Sequence, residues 1–103
     1  MTDEQFLIEI ERAYLRSKSL LTKKAKEYSR GGDRLGHFHR AAAAQSILPT
    51  EALMGMAMKH IISIADMVKN PLDYTTGQWH EKLDDLRNYT FLLDALLVDL
   101  KEE

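Results

Sequence analysis

Between residues 26 and 40 the chain gathers groups that could do chemistry: Glu27, Tyr28, Arg30, Asp33, Arg34, His37, Phe38, His39 and Arg40. Gly31, Gly32 and Gly36 interrupt them, and glycine lets a backbone fold back where a Cβ would not allow it. A plain connector between helices needs about 4–6 residues and none of these groups. Loops set between rigid helices are where binding groups tend to sit. Two readings stand at this point: a connector whose charges are merely solvated, or a loop that holds an anion.

A second set lies further on. Glu81 and Asp84 form E-x-x-D, one helical turn apart, and Asp85 and Asn88 widen the polar strip. Two acids at i, i+3 can converge on one hard cation such as Mg²⁺, which keeps several waters and recruits substrate phosphates. The pattern is short and frequent, and a solvated acidic face is the simpler explanation of it on the residues alone. Lys59, Ser63 and Asp66, with His60 beside them, make a polar strip on an otherwise apolar segment. Such a strip either pairs with another helix, Lys59 with Asp85 for example, or faces a cleft where Lys59 and His60 meet phosphate.

Other chemistries find no support. The chain has no cysteine, which excludes disulfides, thiolate metal sites and cysteine nucleophiles. His37 and His39 are not an i, i+4 pair, so zinc is not expected. Ser29 and Ser63 lack a nucleophile motif, and no Gly-Lys-Ser/Thr loop follows a strand.

The elements that must position these groups are helices. At 103 residues, 45% of them hydrophobic, the chain has the length of one domain with a modest core. Phe6, Ile10, Tyr14, Ser17, Leu21, Ala25 and Tyr28 recur at helical spacing, which predicts a helix over residues 3–29 capped by Thr2 or Asp3. A short alanine-rich helix is expected over 37–46. A third, with Thr50 as its N-cap, should run through the nearly all-apolar stretch 53–68 and lie buried at the centre of the fold. The fourth is expected over 78–100, with Thr75 or Thr76 near its start and Trp79, Leu83, Leu86, Thr90, Leu93, Leu97 and Leu100 on its core face. The expectation is an all-α, four-helix single domain over 1–103, with residues 50–69 central and the first and last helices packed on them.

Net charge is −2, unevenly spread: residues 23–40 hold six basic and two acidic side chains, residues 81–103 seven acidic and three basic. That balance disfavours a general nucleic-acid binder and suits a small anion such as a phosphate. The acidic start is not a signal peptide, no apolar run reaches the ~18 residues of a membrane span, and a cytoplasmic setting is expected.

These residues also resemble a family. Lys24 or Lys26, Glu27-Tyr28, a glycine turn with Asp33, then His37-Phe38, Met58-Lys59, and Glu81, Asp85 and Asn88-Tyr89 are similar to a pattern in small helical phage and prophage proteins. That pattern reads K-x-x-D/E-Y-G, D, N-F, M-K and D-x-x-N-Y. Ser29, His37 and Ile62 depart from it. More distantly, Glu81 and Asp84 resemble the E-x-x-D of the MazG-like all-α nucleoside triphosphate pyrophosphatases, whose companion E-x-x-E this chain lacks. The resemblance implies a MazG-like, phage-encoded protein, cytoplasmic in the host and homo-oligomeric. It would bind a nucleotide through Mg²⁺ and hydrolyse it to the monophosphate. Glu27, Glu81, Asp84 and Asp85 would hold the metal. Arg30, Arg34, Lys59 and His60 would contact phosphate, and Tyr28 or Phe38 would stack on the base. The alternative is a non-enzymatic phage protein that binds a host protein.

Overall fold

The computed structural model describes residues 1–28 and 32–101, without the side chains of Ala25, Lys26 and Tyr28. Among the described residues there are four α-helices and no strand: α1 (Asp3–Tyr28), α2 (Gly36–Gln45), α3 (Pro49–Met67) and α4 (Thr76–Lys101). The all-α expectation holds.

Local chemistry sets the helix ends. Thr2 starts α1 with a reciprocal cap: its Oγ1 accepts the Gln5 N–H at 3.1 Å, while Gln5 Oε1 accepts the Thr2 N–H at 2.8 Å. Thr75 and Gln78 repeat the device at α4, at 3.1 and 2.8 Å. Helix α3 begins earlier than expected. Leu48, not Thr50, is its N-cap; Pro49 takes the first helical position, and Glu51 Oε1 accepts the Leu48 N–H at 3.0 Å. Proline's fixed φ suits that position, which moves the start upstream. Ser46 closes α2 at φ 57°, so that the Ile47 N–H reaches Ala42 O at 3.0 Å. At the entry to α2, a Cβ on Gly36 would sit 2.8 Å from both Asp33 Oδ2 and Arg40 Nη1, so a larger residue there would have to displace those two side-chain ends.

The packing corrects two expectations. Helices α3 and α4 share the centre: α4 packs on α1 and α3, and α3 packs on α4 and α2, so the expected packing of α1 on α3 is replaced by packing on α4. Helix α3 buries only Ala52, Leu53, Ala57 and Met67, leaving Met54, Met58, Ile61, Ile62 and Val68 exposed. Its apolar surface is wider than one chain's neighbours can cover. Helix α4 is also turned from its expected orientation. Asp84, Asn88 and Leu96 face inward, while Thr90 is exposed and Leu97 is 40% exposed. A polar strip can face inward when its charge is paired there, and Asp84 is paired. On α1, Ser17 is fully buried as expected, but Phe6 is 55% exposed, and Ile10 and Tyr14 are also exposed.

The core is small. Phe38, Leu53 and Leu96 form its centre, with Leu35, Met56, Tyr89, Leu92, Leu93 and Leu100 packed around them. Trp79 Nε1 donates to Pro71 O at 2.9 Å and pins the turn between α3 and α4. Leu96 has no exposed surface. Leu96→Ala should therefore lower the unfolding free energy by about 2–5 kcal/mol, read by urea denaturation. Leu72→Ala, at a side chain 97% exposed, should change it by less than about 0.5 kcal/mol.

Candidate functional site

The polar groups of α4 divide between two places. Asp84 faces α1. Its Oδ2 accepts from Arg16 Nε at 3.2 Å, and its Oδ1 accepts from Arg87 Nη1 at 2.6 Å. Ser17 Oγ lies 3.5 Å from Oδ1 and accepts from Arg87 Nη1 at 2.9 Å. Two guanidiniums and a hydroxyl thus satisfy one buried carboxylate, as a buried charge requires. This is a fastening between α1 and α4.

Asp85, one residue on, faces a cleft of about 340 Å³. That volume is at the lower end of small-molecule sites, about 300–1,000 Å³. All four helices contribute. Leu21 and Lys24 come from α1, and Arg34 precedes α2, which adds His37 and Phe38. Helix α3 supplies Met56, Lys59 and His60; α4 supplies Asp85, Asn88, Tyr89 and Leu92. The lysines and Arg34 give three fixed positive charges against the single carboxylate of Asp85. Lys24 Nζ lies 3.4 Å from Asp85 Oδ1. His60 Nδ1 is 3.9 Å from Asp85 Oδ2, beyond hydrogen-bond reach, so the two are charge neighbours only. The His60 ring is tilted against Tyr89, centroids 5.4 Å apart.

Burial pushes the His60 pKa below its ordinary value; Asp85 pulls it upward, and Lys82, Lys59 and Lys24 reinforce the lowering. The imidazole is therefore neutral at pH 7, with one nitrogen free of a proton. His60 Nδ1 and Asn88 Oδ1 are both buried without a hydrogen-bond partner. Natively buried polar atoms are nearly always paired, so two such atoms lining one cleft are groups to which a ligand or water could bond.

The cleft gathers Arg34, Lys59, His60, Phe38 and Asp85 from the residues expected to form a site. It does not gather Glu27, exposed in the last turn of α1, or Glu81, exposed on α4. Arg30 and the Tyr28 side chain lie outside the described residues. The expected pairing of Lys59 with Asp85 is replaced: Asp85 takes Lys24 and His60, and Lys59 is exposed at the rim. Lys24, Asn88 and Tyr89 are the additions. Lys24 stands three and seven residues after Leu21 and Ser17, on one helical face, and that spacing was the available signal.

Mg²⁺ does not fit the acids as they stand. Asp84 is taken up by arginines, Asp85 is beside a lysine, and among the described residues no three His, Asp or Glu side chains gather in a way that would hold a metal ion. Comparison with protein-family models, curated proteins and solved structures finds no match.

Two outcomes follow. Asp84→Ala strands two guanidiniums and should cost about 3 kcal/mol, the lower part of the usual range because both arginines keep about a third of their surface in water. For His60, a folded pKa below the unfolded value means that the unfolded chain binds more protons. Its contribution is intact above about pH 6.5 and is lost as pH falls below it. His60→Gln should flatten that acid-side loss in melting curves taken between pH 7.5 and 5, a window set by the ordinary histidine pKa of about 6.5.

Proposed function

We propose that the cleft binds a nucleotide, with phosphates held directly by Lys24, Arg34 and Lys59 and the base against Phe38 and Tyr89. The observation that supports this is the excess of fixed positive charge around a small cleft whose other walls are aromatic and aliphatic. Charged hydrogen bonds to phosphate are among the stronger polar contacts, and sites of this size combine an apolar body with a few placed polar groups. This is the ligand class implied by the phage and MazG-like resemblance, and we propose the chain as a phage-encoded, cytoplasmic protein of that kind. The acids do not fit Mg²⁺, so the reading is of binding through cations, and no hydrolytic step is derived.

A thermal-shift panel of nucleoside mono-, di- and triphosphates, with Mg²⁺ and with chelator, tests it. Ligand at a hundredfold excess over Kd stabilises by about 2.7 kcal/mol. For a domain of this size that is a rise of roughly 10 °C or more. The rise should persist in chelator. Lys59→Glu, at an exposed residue, should leave the ligand-free unfolding free energy within about 0.5 kcal/mol of wild type. It should weaken nucleotide binding at least about tenfold, the worth of one charged hydrogen bond. If no nucleotide shifts the melting point, the reading fails and the non-enzymatic interaction protein takes its place.

A further inference from the structure

The outer face of α3 is apolar and uncovered. Met54, Met58, Ile61, Ala65 and Val68 are all exposed and follow one another at steps of four, three, four and three. The helical trace continues to the end of this stripe, where the Val68 N–H bonds to Ile64 O at 3.0 Å. A 3.5-residue period is the repeat with which one helix packs along another. Isolated exposed apolar residues are ordinary, whereas a continuous stripe along a whole helix marks an interaction surface. The cleft residues Met56 and Lys59 lie on the other side of α3, at about 100° per residue, so an occupant of the stripe leaves the cleft open.

The charges at the ends of the stripe select the occupant. Glu51 and Lys69 are both exposed, one at each end. Glu51 is in the first turn of α3 and Lys69 lies two residues past its end; they are 18 positions apart, five helical turns, so the trace carried on through Val68 puts them along the same edge. Glu51 Oε1 accepts the Leu48 N–H, a bond that does not use the other carboxylate oxygen. A second α3 laid antiparallel, with a two-fold axis near Ile61, brings Glu51 to the partner's Lys69 and Lys69 to the partner's Glu51. The same operation faces Met54 with the partner's Val68. A parallel two-fold would instead put the two copies of that edge on opposite sides of the seam, where neither charge meets its opposite. Such self-complementarity is what a two-fold interface requires, and an unrelated partner would give no reason for it.

We propose that this face of α3 is the contact surface of a two-fold dimer whose occupant is α3 of a second copy, running antiparallel. The proposal does not depend on nucleotide binding, and its test is made without ligand.

Sedimentation over a dilution series reads the association directly. Wild type should approach twice its 11.8 kDa chain mass. Ile61→Asp would place two carboxylates across the axis and should weaken association more than tenfold, with helicity by circular dichroism retained because Ile61 is exposed in the single chain. Glu51→Lys and Lys69→Glu should each weaken it about three- to tenfold, the scale of rim ion pairs. Mixing these two variants should restore a mixed dimer, since each supplies the charge that the other lacks. A wild-type chain that stays at 11.8 kDa at every loading overturns the proposal. So does a dimer indifferent to Ile61→Asp, a failure of the mixed variants to associate, or a monomer that uses the stripe to bind lipid vesicles.

Discussion

The carboxylate of Asp84 is the point on which the fold turns. It is almost entirely buried, and it is tolerable there only because Arg16, Arg87 and Ser17 reach it together. That requirement fixes how α4 is rotated and where α1 crosses it. With Asp84 directed at α1, Asp85 is carried to the neighbouring face, and Asn88, Tyr89 and Leu92 follow it into the cleft. One ion-paired group thereby divides an acidic strip into a structural half and a half that borders the candidate site.

The cleft inherits its character from this division. Asp84 does not line it, and the remaining acid, Asp85, is offset by Lys24 at 3.4 Å. Cations from α1, α3 and the approach to α2 then dominate the opening. Desolvation keeps His60 neutral in its wall, so the positive charges there belong to lysine and arginine. Phe38 links cleft and core, since the ring that borders the cleft also packs on Leu53 and Leu96.

Much of this was legible in the sequence where local rules suffice. Helical periodicity gave four helices, threonine caps located the starts of α1 and α4, and a buried Ser17 lay on the expected face of α1. The errors arose where tertiary context overrides pattern. Helix α3 is apolar on most sides, which patterning reads as buried; yet sequence cannot show whether the neighbours come from the same chain. The inward face of α4 contains Asp84 and Asn88, and a polar pair reads as solvent-facing until Arg16 and Arg87 are known to meet it. The spacing of Glu81 and Asp84 suggested a metal pair, but arginines brought from sixty-eight and three residues away change the chemistry of one member. Lys59 and His60 were found because charges on an apolar helix must be accounted for. Lys24 entered only as one of two lysines that could open the family pattern.

The central claim is that a cleft bordered by Lys24, Arg34, Lys59 and His60 receives an anionic nucleotide. A nitrogen-15 NMR titration with a nucleoside triphosphate in chelator tests it most directly, because it reports location as well as affinity. Saturable shifts should concentrate at Lys24, Arg34, Lys59, His60, Asn88 and Tyr89, with Glu81 and the outer face of α3 unmoved. Shifts confined to other basic positions such as Lys23 and Arg40, or none at saturating ligand, would contradict the account.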